Sequence, residues 1–379
     1  MYFNWKRYLK DLWKSFFPGR HPHLRITGHR ARVLVMLVFC MGWMGGSGRL
    51  GLLLDHLLFP WFRKVRVIQP VFIVGNFRSG STFLHRMLAG NRPFTAMKTW
   101  ELYFAPSISQ RKFWRGLWIV DRWFGGLVRR TVVRAQEQQL SQVTMHRIRL
   151  EEPEEDEAIF LYLWDSLFNW FFVPADAHKN PYWRFDSAVP KWRRKRAMAF
   201  YRGVIQRHMA LQPSGSIYLS KSPAFTARLH SLLETFPDAR FIELIRDPER
   251  VMVSGAAWFS FAWHFFASPR QTYPFASTLI EMVRRWYLAS RELEQVLPRN
   301  QFVQLRFEQM IDQPQIAIPA ALDQLEISVA PSLRERLAEV ASSDAKPRTH
   351  DVELKHLGLS REEFAEAFAD VYQRFGYTS

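Results

Sequence analysis

Residues 71–89, VFIVGNFRSGSTFLHRMLA, constrain the fold more than any other stretch of this 379-residue chain. The four apolar residues 71–74 read as a short buried strand, and after Ser81 the apolar positions Phe83, Leu84, Met87 and Leu88 fall at helical spacing. Between strand and helix lies the loop Gly75-Asn76-Phe77-Arg78-Ser79-Gly80-Ser81-Thr82. Gly75 and Gly80 let backbone approach an anion closely, and the free amides at the helix start point at it. The nucleotide-binding pattern GxxxxGK followed by Ser or Thr would need lysine where this chain has Ser81. A triphosphate with magnesium lacks its usual cation here. Arg78 supplies one from within the loop, and its fork suits a pair of phosphate or sulfate oxygens. Without such a role the segment is an ordinary glycine turn.

The composition changes after Pro70, and the main domain is expected over 67–379. Further strand-like runs at 216–219, 240–245 and 302–307 alternate with helical stretches at 223–235 and 248–258. That alternation predicts an α/β fold, a P-loop-type three-layer sandwich with a central parallel sheet. Residues 91–215, dense in Trp, Phe and Arg, are too long for a simple crossover. They read as a helical insertion that walls an acceptor pocket beyond the carboxyl ends of the strands. Residues 331–379 read as helical, with 361–375 as an amphipathic stretch packed on the core.

The formal charge of +17 is unevenly placed. Residues 1–66 carry twelve Lys or Arg against Asp11 and Asp55, a net of +10, so most of the excess lies at one end. That concentration argues against a nucleic-acid partner. The same end is apolar. Residues 33–48 are an uncharged run of sixteen, and 50–62 are interrupted only by Asp55 and His56. Sixteen residues fall short of the roughly twenty a spanning helix needs. Arg25, Arg30 and Arg32 precede the segment and Arg63, Lys64 and Arg66 follow it, so both flanks are expected on the cytoplasmic side. The expectation is monotopic attachment of 1–66 to a membrane surface, through a hairpin broken at Gly45-Gly46-Ser47-Gly48 with Trp43, Trp61 and Phe62 near the interface. The apolar run starts too far in for a cleaved signal. Cys40 is the single cysteine, which excludes an intrachain disulfide and leans towards a reducing compartment.

Two further blocks follow strands: Arg246-Asp-Pro-Glu-Arg-Val-Met-Val-Ser254, and Lys221-Ser222-Pro223. Arg246 at a strand end and Ser254 two helical turns on can reach one phosphate monoester. With the loop form IVGxxRSGSTxLHRxLA, these blocks resemble the 3′-phosphoadenosine 5′-phosphosulfate (PAPS)-dependent sulfotransferases, especially the membrane-associated bacterial-type, carbohydrate and tyrosylprotein branches. The resemblance covers most of residues 71–310. It implies that Gly75, Arg78, Ser79, Gly80, Ser81 and Thr82 cradle the phosphosulfate, and that Arg246 and Ser254 hold the 3′-phosphate. Lys221 and Arg78 would offset charge growing on the leaving phosphate and the sulfuryl oxygens, with no metal required.

A general base must take the acceptor hydroxyl proton. Glu101, beside Trp100 and Tyr103, follows the loop at about the spacing of the tyrosylprotein branch, and burial there would raise its proton affinity. His146 is the alternative. The acidic run 151–157 resembles a Pro-x-Glu-Asp-Glu element of one bacterial-type group, and reads equally as acceptor-orienting, paired with pocket arginines, or as a solvated helix start. Arg306-Phe307-Glu308 resembles an Arg-Tyr-Glu segment of structural role, and Lys346, Arg348 and His350 a loose nucleotide-closing cluster. The expected reaction is sulfuryl transfer from PAPS to a hydroxyl acceptor, a lipid, glycolipid or carbohydrate. A P-loop small-molecule kinase and an inactive membrane scaffold are its rivals.

Overall fold

The computed structural model describes residues 2–19, 24–128, 130–131, 149–172, 179–268, 275–342 and 360–377. Its centre is a parallel sheet of five strands, β1 Val71–Gly75, β2 Phe94–Thr95, β3 Ile217–Lys221, β4 Arg240–Ile245 and β5 Phe302–Arg306, in the order β2-β3-β1-β4-β5. Four of these were legible as apolar runs. The edge strand β2 has two residues and leaves no periodic signal, so the insertion expected to start at 91 in fact begins with a strand.

Side chains alternate across the sheet because the strand repeat is two. Phe72, Val74, Tyr218, Phe241 and Ile245 enter one core. Val71, Ile73, Leu219, Ile242 and Leu244 enter the other, against Leu84 and Leu88. Both faces are covered, which is why the strands read as unbroken apolar runs rather than alternating ones. This is the three-layer α/β class expected. At the C-terminal end, 361–375 divides into Arg361–Ala367 and Ala369–Phe375, and both bury aromatic or apolar residues (Phe364, Val371, Phe375) in the first core.

The N-terminal segment departs from expectation. After α1, Trp5–Phe16, the chain forms one continuous helix, α2, Gly28–Leu58, of 31 residues. It runs straight through Gly45-Gly46-Ser47-Gly48, so there is no hairpin. Glycine weakens a helix by only about 1 kcal/mol per residue relative to alanine, and tertiary packing overrides it. A Cβ at Gly48 would run into the Tyr162 ring, so that glycine serves close approach rather than a turn. By length and composition α2 meets the requirement for a membrane-crossing helix. One flank nevertheless lies on the protein: Val33, Leu34, Leu37, Met44 and Leu52 are buried, while Val35, Phe39, Leu50, Leu53 and Leu57 are exposed. Asp55 is fully buried and accepts hydrogen bonds from the amides of Ile108 and Ser109 and from Arg207 Nε at 2.8 Å. These bonds tie α2 to the body of the molecule.

Candidate active site

The helix after the loop is α3, Ser81–Ala89, and it starts at the carboxyl end of the central strand. The chain leaves β1 for β2 on one side and returns from β3 across β1 to β4 on the other, a switch in direction that makes this edge the natural place for a ligand. Gly75 has φ 116°, and a Cβ there would strike the Leu244 carbonyl oxygen of the neighbouring strand. Only glycine fits. Thr226 Oγ1 holds the same residue, accepting from the Gly75 amide at 2.8 Å and donating to its carbonyl at 2.9 Å. Ser79 Oγ donates to Asn76 O at 2.5 Å, which closes the loop on itself. Arg78 sits in the left-handed region at φ 61°, and Gly80 caps α3 at φ 85°.

The loop brings the arginines of two sequence blocks together. The longer helices around the site are α4 Thr99–Phe104, α5 Ile108–Trp123, α6 Lys191–Met209, α7 Leu229–Thr235, α8 Pro248–Phe266 and α9 Ala276–Ala289. Arg78 Nε donates to Ser254 Oγ of α8 at 2.8 Å, and Arg246 Nη1 donates to the Arg78 carbonyl at 2.7 Å. Tyr287 of α9 donates its hydroxyl to the Arg246 carbonyl at 2.6 Å, and the Arg246 guanidinium lies 4.1 Å from the centre of the Phe307 ring. Burial lowers the proton affinity of both guanidinium groups. Among the described residues, neither is paired with a carboxylate within 4 Å. Two partly desolvated, unneutralised cations beside helix-start amides favour a bound anion, so the residues present fit a phosphosulfate donor. Asp247 caps α8, accepting from the amides of Glu249 at 2.7 Å and Arg250 at 3.3 Å, and so is engaged in the helix start rather than set to hold the magnesium a kinase would need.

Gly255 is a site feature that sequence reading passed over. A Cβ there would enter the Phe77 ring, so α8 rests directly on the loop one residue past Ser254. The signal was a glycine inside a helix, beside a named ligand.

Lys221 ends β3, in register with Ile73 of β1, and is 1% exposed. Its Nζ donates to Glu155 Oε1 at 2.8 Å and lies 3.7 Å from Glu154 Oε1. It is therefore a buried, ion-paired lysine and not a solvated one at a strand end. His85 of α3 is buried near it, and burial followed by the Lys221 charge lowers the ring's pKa to about 3, so it is neutral.

The acidic run is likewise not a solvated helix start. Glu151 pairs with Lys98, Glu152 with Arg86 and Arg149, and Glu157 with Arg228 in full burial. Asp156 accepts from the hydroxyls of Tyr201 at 2.5 Å and Tyr218 at 2.6 Å, and burial raises its pKa to about 6. The next residues, Asp156–Leu163, form a 3₁₀ turn whose side chains are all buried.

Glu101 lies in a different setting from the one expected. Its Oε2 accepts from its own helix-start amide at Lys98, 3.0 Å, in a capping box. Oε1 is 3.6 Å from the fully buried Arg111 of α5, and Oε2 is 3.6 Å from His208 Nδ1 of α6. Burial alone would raise its pKa, but the Arg111 charge and the Lys98 amide hold it below the usual range. The expected rise in proton affinity is therefore corrected to a fall. Arg111 Nη1 donates to His208 Nδ1 at 2.8 Å, which leaves the proton of the neutral ring on Nε2, facing Thr95 Oγ1 at 2.8 Å. The alternative base His146 lies outside the described residues, as do Lys346, Arg348 and His350.

Among proteins of known sequence, the Sulfotransferase family profile matches residues 70–331. Two curated relatives, from Mycobacterium bovis and Mycobacterium tuberculosis, are both named omega-hydroxy-beta-dihydromenaquinone-9 sulfotransferase Stf3. Each is 23% identical over 81% of this chain and 75% of its own length. Sulfotransferase STF9 from Mycobacterium avium has a similar fold, with a TM-score of 0.73 at 17% identity over 93% of this chain and 87% of its own. Sulfotransferase STF1 from Mycobacterium tuberculosis gives a TM-score of 0.70 at 18% identity, over 97% and 92%. With its loop, its paired arginines and more than half its length matched by that profile, this chain belongs to the sulfotransferase family.

Proposed function

We propose that this protein transfers a sulfuryl group from PAPS to the hydroxyl of an apolar acceptor held at a membrane surface. The convergence of Arg78, Arg246 and Ser254 on one edge of the sheet carries the donor half of this reading. Gly75 to Thr82 cradle the 5′-phosphosulfate, and Arg246 with Ser254 takes the 3′-phosphate. As the acceptor oxygen bonds to sulfur, the bond from sulfur to the bridging phosphate oxygen breaks. Lys221 and Arg78 stabilise the charge that grows on the departing phosphate.

The proton goes to Glu155. It is the carboxylate in contact with Lys221, with its side chain 21% exposed and open to an incoming hydroxyl. Glu101, committed to a cap and to Arg111, positions the wall instead. The acidic run thereby joins the reaction site through Glu155 and the scaffold through Asp156 and Glu157.

The acceptor half rests on the N-terminal helices. In α1 the polar Asn4 and Asp11 bond to the protein: Asn4 Nδ2 donates to Asp165 Oδ1 at 3.0 Å, and Asp11 Oδ2 accepts from Trp164 Nε1 at 2.9 Å. Trp5, Leu9, Trp13 and Phe16 face outward together with Lys6 and Lys10. An outer face of aromatic rings and lysines suits the boundary of an apolar phase, and the basic flanks suit anionic headgroups on the cytoplasmic side. The curated relatives, named for an omega-hydroxylated dihydromenaquinone, are the precedent for the acceptor. The test is a transfer assay with radiolabelled PAPS and membrane-lipid and polar extracts. Label in a long-chain, hydroxyl-bearing lipid is expected; label confined to polar carbohydrate would refute the apolar acceptor.

A further inference from the structure

A cavity of about 210 Å³ lies between α1, α2 and the end of the 3₁₀ turn. Gly42, Gly45 and Gly46 of α2 form one wall, and a Cβ at any of the three would meet nothing within 4 Å. They stand in contrast to Gly48, where the Tyr162 ring demands glycine. No described neighbour requires the other three to be small, although each weakens the helix. What they leave is space. The opposite wall is aromatic, with Phe3, Trp5 and Tyr8 from the α1 end and Tyr162 and Trp164 from the turn. Arg49 closes one end, its guanidinium stacked 4.5 Å from the Phe3 ring centre and its Nε buried without a hydrogen-bond partner.

We infer that this cavity holds the apolar chain of the sulfuryl acceptor, a long-chain alcohol drawn from the bilayer. The inference rests on the transfer reading above. Three observations select that occupant. The cavity is smaller than the roughly 300–1,000 Å³ of ordinary ligand pockets, so it takes a length of slender chain rather than a nucleotide or sugar. Gly42 and Gly46 are exposed, so it opens beside the outward faces of Trp5 and Trp43, where a bilayer would lie. The turn that supplies Leu161 and Tyr162 begins one residue after Glu155. Six residues of 3₁₀ rise cover about 12 Å, so a chain seated here can place its hydroxyl end towards Lys221 and Glu155.

The experiment uses the full chain on phosphatidylcholine–phosphatidylglycerol vesicles with a diazirine-bearing hexadecanol as probe. Photolabel is expected on peptides carrying Met41, Met44 or Trp164, and excess plain hexadecanol should compete it away. Gly45→Leu fills open space and favours helix, so thermal stability should hold; labelling should fall and KM for hexadecanol rise, each by about tenfold. Gly45→Ala should fall between, while kcat and binding of 3′-phosphoadenosine 5′-phosphate stay unchanged. Hexadecanol sulfated with the same KM by wild type and Gly45→Leu would overturn the cavity's role and leave the transfer reading intact. Labelling lost in Gly45→Leu, with no alcohol ever sulfated by wild type, would instead overturn the transfer reading and, with it, the assignment of the chain to an acceptor.

Discussion

Two buried carboxylates of this protein face opposite fates, and the difference lies in their partners. Glu101 is met by the Arg111 charge and a helix-start amide, so its own charge is stabilised and its proton affinity drops. Glu101→Gln should leave Arg111 buried without its counter-ion, a change that costs about 3–5 kcal/mol in comparable pairs. A clear fall in Tm is the expected result. Glu155→Gln should lower Tm less, because Lys221 keeps Glu154 at 3.7 Å as a counter-ion, and should keep donor binding while losing transfer by about a hundredfold or more, as removal of a general base does. Retained transfer in that variant would move the base elsewhere. Asp156 is held by the hydroxyls of Tyr201, Tyr218 and Ser220, with the Lys221 charge beyond them, and burial outweighs these to raise its pKa from 3.8 to about 6. The folded state therefore binds this proton more tightly than the unfolded one. The stability it contributes is complete below the unfolded value and is lost as pH rises through about 6. Asp156→Asn keeps an acceptor for both hydroxyls but cannot titrate. Its Tm relative to wild type should rise between about pH 4 and 6; a flat difference in thermal melts would contradict this. None of it was legible in the sequence, where Glu101 and the acidic run are side chains without neighbours.

At the scale of elements, what could be read was what local pattern determines. The loop at 75–82 was placed by its glycines and flanking periodicities, and Arg246 and Ser254 by their strand and helix. The structure brings all three blocks to one sheet edge, with Arg78 and Ser254 in direct contact. What failed depended on distant packing. Gly45 to Gly48 resembled a helix break because glycine is a poor helix former, yet α2 continues because Tyr162 and the bonded Asp55 hold it in place. The exposure of the α1 aromatics was equally hidden, since a helical stripe does not say which side faces the protein. That exposure predicts that Leu9→Ser with Trp13→Ser should leave Tm unchanged. Sedimentation with anionic vesicles should weaken about tenfold, given the apolar area each residue withdraws from water. Equal sedimentation would argue that α1 faces something other than lipid.

The whole molecule joins a donor edge, built on a sheet, to an apolar N-terminal flank, and the acidic run lies between them. Lys221 meets that run at Glu155, and the end of the 3₁₀ turn that continues it packs on α1 and α2. On the proposed function, one continuous segment thus links donor chemistry to acceptor delivery. The central claim is the identity of the donor site, and thermal melts with 3′-phosphoadenosine 5′-phosphate beside ATP–magnesium address it most directly. A ligand at a hundred times its Kd stabilises the folded state by about 2.7 kcal/mol, a shift of several degrees. The account predicts that shift for the 3′-phosphorylated nucleotide, with affinity reduced about tenfold to a hundredfold in Arg246→Ala through loss of a charged hydrogen bond. A larger shift with ATP–magnesium, or an Arg246→Ala variant that binds like wild type, would contradict it.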